Sequence, residues 1–427
     1  MIFFLKILVV VISVVPADVF GQPATQDVKL NIFRAILSNN TALIDNLFND
    51  EAAMNSKDSD NLTALILAVK NNNLDTVKVI LDNGVDVDAP AKWNFTALAW
   101  AAYESNVDMA EYLIANGADV NKRIENNETA LIIAALRNNT EMVKLLVREG
   151  ADVNAKNTHK LTALFVAANL RYNTEMASFL ADHGADLNIK ITKDMWTPLI
   201  MAASANRTDM VALLIDKGAD IDAQNAWYND SALTWAAKNN NTEIVSILVK
   251  AGANVNVQDK VNGTVLLHAA ENNNADIARL VIASDADVNV RDKYGESALI
   301  LAAYNDNLDF VKLLLDNGAD VNAQNAFNFT AMILASLNNN KDMVKLLINN
   351  GGDVNAVTCY DSANFELKKS NDSSRGFYSP TGREEIYNNK LPYQCATALS
   401  LAVYNNNTDI VSILTARSLQ GVYRLLD

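Results

Sequence analysis

Residues 129–157 read TALIIAALRNNTEMVKLLVREGADVNAKN, and this stretch decides the fold. Thr129 is a residue type that caps a helix N-terminus, because its hydroxyl accepts a hydrogen bond from a free backbone N–H. Apolar residues then recur at helical spacing until a pair of asparagines, whose amides compete for the backbone. Thr140 is predicted to cap a second helix, and Gly150 suits the left-handed position just past that helix's end. One such helical hairpin cannot bury its apolar face alone, so a copy has to pack beside it.

Copies of this unit follow at a nearly constant period. A capping Thr or Ser before an apolar pair occurs ten times, at intervals of 33, 33, 33, 35, 34, 33, 33, 33 and 67 residues. The capping residues are Thr63, Thr96, Thr129, Thr162, Thr197, Ser231, Thr264, Ser297, Thr330 and Thr397. A helix-end glycine keeps pace in eight of these units. Self-similarity at this period is typical of a solenoid.

The units resemble ankyrin repeats, whose pattern runs T-P-L-H-x-A-A, then a second helix, then G-A-D-V-N. Residues 197–203, TPLIMAA, followed by residues 218–225, GADIDAQN, are the nearest copy. The resemblance implies an all-α ankyrin-repeat solenoid with short β-hairpin fingers and with capping repeats at both ends. The family histidine, three residues after the capping residue, is absent from every unit. We expect apolar packing to replace the hydrogen-bond network that this histidine builds between repeats.

The pattern divides the chain into five regions. They are a signal peptide (1–21), a linker with an N-terminal capping repeat (22–62), nine ankyrin repeats (63–356), a loop insertion (357–396), and a final repeat with the C-terminal cap (397–427).

The first 15 residues are apolar except for Lys6 and Ser13, and small residues, Val19 and Gly21, precede a candidate cleavage site. This pattern is typical of a secretory signal peptide and predicts a secreted or periplasmic protein. The alternative is an uncleaved membrane anchor, which is disfavoured because the run is shorter than the ~20 residues of a spanning helix.

The chain has two cysteines, Cys359 and Cys395, which stand at the two ends of the insertion. An isolated pair in a secreted chain predicts a disulfide, which would close a loop of about 37 residues and stabilise the fold by roughly 3–4 kcal/mol. The alternative is two free thiols. The insertion is also rich in aromatic residues, which would either form a recognition surface or pack the loop onto the solenoid. They are Tyr360, Phe365, Phe377, Tyr378, Tyr387 and Tyr393.

A second candidate surface follows from the family resemblance. Ankyrin folds bind protein partners with their loop tips and with the face of their first helices, and aromatic residues recur at the matching positions. The candidate partner-binding residues are Trp93, Phe95, Tyr103, His159, Trp196, Trp227, Tyr228, Tyr294, Tyr304, Phe327 and Phe329. A row of such rings would form an apolar stripe, and exposed stripes usually bind. The alternative is that the ring directly before each capping residue braces the next loop.

Asn-x-Ser/Thr sequons recur in the loops before the capping residues. The candidate glycan acceptors there are Asn94, Asn127, Asn229, Asn262 and Asn328. In a eukaryotic secreted protein these would carry glycans. Turn chemistry alone also accounts for them, because asparagine tolerates positive φ and the threonine is needed as a cap.

The net charge of −15 argues against nucleic acid as a partner and favours a neutral or basic protein. The alternative is that acidic turns serve solubility alone. Common catalytic motifs are missing, and the three histidines fall in different units. We therefore expect no enzyme, cofactor, metal or small-molecule substrate, and a monomer.

These observations favour a non-enzymatic protein-interaction scaffold of the secretory or periplasmic space. One alternative is a secreted effector or toxin-like protein that acts on a host target. Another is an enzyme whose site lies in the insertion, residues 357–396.

Overall fold

The computed structural model describes residues 24–47, 57–59, 61–191, 194–359 and 395–423. The chain divides into two compact units, Met1–Asp152 and Val153–Asp427, which we describe separately. The predicted signal peptide and residues 360–394 of the predicted insertion, with its six aromatic residues, lie outside the described residues.

In the first unit the described residues form four pairs of short helices. They are α1 Ala24–Leu37 with α2 Thr41–Leu47, α3 Ala64–Lys70 with α4 Leu74–Asp82, α5 Ala97–Tyr103 with α6 Val107–Ala115, and α7 Ala130–Leu136 with α8 Thr140–Arg148.

The second unit continues the same alternation and adds one small sheet. Its helices are α9 Ala163–Phe165 with α10 Thr174–Asp182, α11 Pro198–Ser204 with α12 Thr208–Asp216, α13 Ala232–Lys238 with α14 Thr242–Lys250, α15 Val265–Glu271 with α16 Ala275–Ile282, α17 Ala298–Tyr304 with α18 Leu308–Asp316, α19 Ala331–Leu337 with α20 Lys341–Asn349, and α21 Ala398–Tyr404 with α22 Thr408–Tyr423. The strands β1 Val357–Cys359 and β2 Cys395–Thr397 pair antiparallel.

The helix pair α7–α8 shows how one unit forms. The Thr129 hydroxyl accepts from the Ile132 N–H at 3.4 Å and so caps α7, as the sequence predicts. The predicted cap of α8, Thr140, is wrong. Asn139 holds that place instead, and its Oδ1 accepts from the Met142 N–H at 3.0 Å. Asparagine is the stronger N-cap, and Thr140 becomes the first helical residue.

The extra residue between Thr162 and Thr197 is absorbed inside a helix. We expected it in the turn at residues 169–173, but α9 continues directly into a π-helical turn, Val166–Arg171. A single π turn is the usual way for a helix to take in one added residue. Tyr172 then ends the turn with a positive φ of 52°.

Apolar side chains of the first helices and of one face of the second helices form the core. Ile132 and Ile300, at the position where the family has histidine, are fully buried. Met142 and Leu146 of α8 are equally buried. Buried apolar residues therefore do stand at the histidine position, as expected. Their packing is not the sole link between repeats.

Within each unit, asparagines in the turns between paired helices connect several repeats to the preceding one. In the second unit the Asn305 amide donates to the Ala270 carbonyl at 2.8 Å, and the Asn307 amide donates to Asn273 Oδ1 at 2.8 Å. Equivalent donors are Asn106 and Asn139 in the first unit and Asn239, Asn241, Asn272, Asn274, Asn338, Asn340, Asn405 and Asn407 in the second. These bonds supply the polar inter-repeat network that the missing histidines would otherwise provide.

A second set of amide links lies in the loops after the second helices. Asn289 Nδ2 donates to the Gly318 carbonyl at 3.1 Å, while its Oδ1 accepts from the Asp320 N–H at 2.8 Å. One side chain thus bonds twice to the next repeat. An aspartate at this place, Asp222, accepts from the Asn254 N–H at 2.9 Å. Equivalent two-way amides are Asn121 in the first unit and Asn154, Asn256 and Asn322 in the second.

The loops that lead into the first helices are tight turns closed by one backbone bond. Asp259 N–H donates to the Gly263 carbonyl at 2.9 Å. Asp259 Oδ1 also accepts the N–H groups of Val261 and Gly263, at 2.9 and 2.7 Å. The side-chain oxygen of an aspartate or asparagine at this place, five residues before the cap, therefore accepts hydrogen bonds from backbone N–H groups of the loop. A β ladder would otherwise use these N–H groups.

The predicted β-hairpin fingers are not confirmed. Within the described ranges, the two-stranded ladder β1–β2 is accompanied only by isolated bridges. These join Lys57 to Thr63, Ile191 to Trp196, and Arg291 to Ser297.

The base of the predicted insertion is formed by the ladder β1–β2. Its register places Cys359 directly opposite Cys395. The Thr358 hydroxyl, which is fully buried, donates to the Phe327 carbonyl at 2.7 Å. β1 is therefore anchored on the preceding repeat. The insertion begins and ends at neighbouring residues of the ladder, Cys359 and Cys395.

Replacing Asn307 tests the amide links. Asn307→Ala removes both the cap on Phe310 N–H and the bond to Asn273, and we expect it to lower the free energy of unfolding by about 2 kcal/mol. Asn307→Asp keeps the capping oxygen and loses only the donor, so we expect a loss of about 1 kcal/mol. Urea unfolding followed by circular dichroism measures both variants. Wild-type stability in Asn307→Asp would show that the inter-repeat bond carries no stability of its own.

Candidate functional site

The loop-tip and first-helix residues singled out from the sequence differ in exposure. Trp93 and Trp227 are 46% and 55% exposed, and His159 is exposed as well. Half-buried rings are Phe95, Tyr103, Trp196, Tyr228, Tyr294, Tyr304 and Phe327. Phe329 is a correction, because it is only 2% exposed and belongs to the interior. It stands directly before the cap Thr330, where the chain enters the core, so it braces its repeat instead of facing a partner.

In the first unit, three aromatic rings of one repeat lie between a cation of the preceding repeat and a cation of the following repeat. Trp100 lies between Phe95 and Tyr103, with ring centroids 5.4 and 5.7 Å away. Lys70 Nζ stands 5.7 Å from the Trp100 ring centre, and the Arg137 guanidinium stands 4.6 Å from that of Tyr103. We call these five residues the cation–aromatic patch. Cations over ring faces within about 6 Å are attracted by the ring quadrupole, which keeps the patch ordered.

Trp93 lies on the adjoining loop with an unusual backbone. Its φ is 60°, a left-handed conformation that is rare and costly for a bulky residue. The loop begins at Ala91, which has no side-chain oxygen to bond the loop N–H groups, and it forms a 3₁₀ turn at Lys92–Asn94 instead. Lys92 Nζ lies 4.6 Å from the Trp93 ring centre. Strain held at an exposed aromatic residue is typical of binding sites.

In the second unit, successive loops are joined by backbone bonds that order the aromatic tips. Lys260 N–H donates to the Tyr228 carbonyl at 2.8 Å, and Ala326 N–H donates to the Tyr294 carbonyl at 2.8 Å. Trp227 and Tyr228 sit side by side, with ring centroids 6.4 Å apart. The exposed indole of Trp227 is therefore presented on a loop that is fixed on both sides.

The first-helix face of the second unit carries a buried ion-pair cluster. Lys238 Nζ bonds Asp230 Oδ1 at 2.6 Å and Asp259 Oδ2 at 2.9 Å. His268 Nε2 bonds the same Asp259 oxygen at 3.1 Å, and His268 Nδ1 bonds Glu271 Oε2 at 2.9 Å. The four pairs are largely withdrawn from water, and one of them, Lys238 with Asp259, joins the two repeats.

The geometry favours a protonated His268. A neutral imidazole has one N–H only, but each ring nitrogen here faces a carboxylate oxygen. Burial alone would lower the pKa of His268, but its hydrogen bonds to Asp259 and Glu271 outweigh burial and raise that pKa. Burial would raise the pKa of Asp259, yet the hydrogen bond from His268 and the charge of Lys238 hold it below its usual range. The pKa of Asp230 stays raised by burial, although Lys238 opposes that shift.

The remaining histidines lie apart from this cluster. His159 is on an exposed loop, and His183 Nδ1 contacts the Phe179 carbonyl at 2.8 Å. Over the described ranges, His, Cys, Asp and Glu side chains form no group of three or more that is arranged to hold a metal ion.

The loop sequons share one backbone feature. Asn94, Asn127, Asn229, Asn262 and Asn328 all have positive φ, between 57° and 60°. The amides of Asn94 and Asn229 donate to the carbonyls of Arg123 and Gln258, each at 2.8 Å. Turn geometry thus accounts for asparagine at these places, and glycosylation there stays a prediction.

Comparison with known families settles the architecture. A family model described as ankyrin repeats (3 copies) matches residues 32–124, 121–191, 190–259, 233–325 and 266–358. The chain belongs to the ankyrin-repeat family. Ankyrin repeats indicate a protein–protein interaction scaffold, and such proteins are generally non-enzymatic. No curated protein matches the chain. None of the helices in the described part is long and apolar enough to cross a membrane.

Several residues of these ankyrin surfaces were missed by the sequence analysis. Trp100, Trp235 and His268 stand four residues after their capping residue, and Lys70 and Lys238 stand seven after it. Trp235 packs against Trp196, with ring centroids 5.4 Å apart. Aligning the chain's own repeats would have shown that residue type varies at these two positions of the first helix.

The buried cluster predicts a pH dependence. Because the folded-state pKa of His268 is raised, its stabilisation is fully present below the ordinary histidine value of about 6.5 and is lost as the pH rises through the raised value. The lowered pKa of Asp259 acts at acidic pH, because the stability that this carboxylate contributes is lost as the pH falls through its lowered pKa. We expect His268→Leu to cost about 3 kcal/mol near pH 6 and progressively less at higher pH.

Thermal unfolding of both proteins from about pH 6 to about pH 9 tests this. Leucine already stands at the matching place of the next repeat, Leu301, so the variant should pack. Parallel stability curves for wild type and His268→Leu would contradict a charged His268.

Proposed function

We propose that this ankyrin-repeat protein is a non-enzymatic scaffold of the secretory or periplasmic space that binds a protein partner through its loop tips and first-helix faces. The observation that carries the proposal is the set of exposed indoles on fixed loops, above all Trp93 with its strained backbone. Tryptophan is among the residues that most often dominate interface energetics. An ordered, exposed tryptophan loses little entropy when a partner covers it.

The net charge of −15 supports a partner that is neutral or basic overall, because long-range attraction speeds its encounter with an acidic chain. Each compact unit carries its own aromatic tips, so we treat binding by the two units as separable. A monomer is proposed as the binding form.

The secretory location is supported by the N-terminal sequence and by the placement of the two cysteines. Opposite residues of an antiparallel ladder have Cα atoms about 4.5–5.5 Å apart. This lies within the range of about 4.4–6.8 Å that a disulfide spans. The register that faces Cys359 with Cys395 therefore suits a disulfide that closes the base of the insertion, as expected in an oxidising compartment.

Truncating the exposed indoles tests the proposed binding. The partner is first captured by crosslinking to the wild-type chain, from extracts of the source organism and of any host, and is then titrated calorimetrically. We expect Trp93→Ala or Trp227→Ala to weaken binding about 30-fold, as loss of a hot spot of about 2 kcal/mol does. The matched control is Tyr112→Ala, which removes a half-buried ring from the second helix α6. Unchanged affinity in both tryptophan variants would reject the loop tips as the binding surface.

Mass spectrometry of the native protein tests the location. We expect a mature chain that begins at Gln22, is lighter by two hydrogens, and resists alkylation until it is reduced. Cys395→Ser should lower the free energy of unfolding by about 3 kcal/mol on the chain-entropy model. A full-length chain with both thiols freely alkylated would contradict the proposed secretion.

A further inference from the structure

Two lysines occupy the same place in different repeats but have different surroundings. Lys238 and Lys70 each stand seven residues after their capping residue. Lys238 is held by Asp230, directly before its own cap, and by Asp259, five residues before the next cap. Its repeat therefore supplies two carboxylates from within the chain.

Around Lys70 both of these places are apolar. Leu62 stands directly before its cap and Ala91 stands five residues before the next cap, and each is only 7% exposed. Where the second unit has His268, Lys70 faces the ring of Trp100. In the part of the chain that the structure describes, Lys70 makes no ion pair with a carboxylate. The site thus keeps the cation and lacks the internal anions.

Arg137 extends the same arrangement by one repeat. Its guanidinium lies on the Tyr103 ring and, over the described ranges, pairs with no carboxylate. The two cations, one from the preceding and one from the following repeat, flank three rings of a single repeat, Phe95, Trp100 and Tyr103. A ligand that lies along this run would meet a cation at each end and apolar ring surface between them.

We propose that the cation–aromatic patch binds an acidic segment of the protein partner, whose carboxylates pair with Lys70 and Arg137 while its apolar side chains cover the rings. The inference rests on the proposed function and names the chemistry of one contact within it. The chain's overall charge of −15 does not oppose it, because charges beyond about 8 Å are largely screened at physiological salt, whereas direct ion pairs are not. A partner that is neutral or basic overall satisfies both conditions if its contacting segment is acidic.

The test is to place beside Lys70 a carboxylate equivalent to Asp259, which pairs with Lys238. Ala91→Asp places an acid where Asp259 stands, and Ala91→Asn is the matched control without charge. Both variants should fold, because aspartate or asparagine occupies this place in other loops, as at Asn157 and Asn325. Circular dichroism confirms the fold before binding is measured.

The probe is a random peptide library displayed on phage and selected against the full chain. We expect the peptides that compete with one another for the wild type to be enriched in Asp and Glu. Synthetic copies should bind Ala91→Asp about tenfold more weakly than wild type, with Ala91→Asn unchanged, because a hydrogen-bonded charge pair is satisfied internally. Glu→Gln copies of the same peptides should lose a similar factor on the wild type.

A second pair of variants removes the cations. Lys70→Gln with Arg137→Gln should abolish the preference for acidic peptides. The control Lys78→Gln with Arg148→Gln removes the same charge from the second helices and should leave the preference intact.

The inference is overturned if the selected peptides are not acidic, if no peptide is selected, or if Ala91→Asp and Ala91→Asn bind them equally. Peptides that lose affinity with Trp93→Ala but ignore the Ala91 and Lys70 variants would leave the proposed function standing and reject the acidic segment alone. If neither the tryptophan variants nor the Ala91 and Lys70 variants weaken binding, both the proposed function and the acidic segment are rejected.

Discussion

Side-chain amides that bridge one repeat to the next are the interaction on which the rest of this structure depends. A two-helix repeat of about 33 residues exposes too much apolar surface to be stable by itself, so each repeat needs its neighbour. Apolar contacts supply most of the free energy but leave the sliding of one repeat over another weakly defined. The directed bonds of residues such as Asn307 and Asn289 fix that register, since an amide donates and accepts at defined angles.

The same requirement explains the abundance of asparagine. One amide can cap a second helix and also bond to the preceding repeat, as Asn307 does. Asparagine also adopts the positive φ of the turn between helices, where Asn138 and Asn339 stand. The sequons follow from this chemistry together with the threonine caps. The missing family histidine therefore left no gap in the polar links, because a different residue at a different place provides them.

The period, the first-helix caps and the helix-end glycines could be predicted because they depend on local backbone chemistry. Thr129 caps α7 and Gly150 has a φ of 89°, as those residue types require. The π turn and the ion-pair cluster could not be predicted, because each depends on how neighbouring elements are positioned in space. Asp259 and His268 are nine residues apart, and they meet only after the loop has turned back on the helix it precedes. Likewise, Phe329 was assigned to the surface because sequence spacing does not show on which side of a turn a ring lies.

Two departures from the chain's own repeat pattern lie in the loops beside the cation–aromatic patch. Most loops before the first helices carry an aspartate or asparagine that bonds the turn, as Asp259 does. Ala91 and Ile124 do not, and their turns force Trp93 and Asn126 into left-handed conformations. Both loops border the repeats that carry the cation–aromatic patch. We expect an acid at Ala91 to bond the turn and to pair with Lys70, as Asp259 bonds its own turn and pairs with Lys238. The alanine then accounts both for the strained loop and for a Lys70 without a carboxylate partner among the described residues. Under the proposed acidic contact, a cost of order 1–3 kcal/mol in the loop accompanies the lack of an acid that would otherwise pair with Lys70.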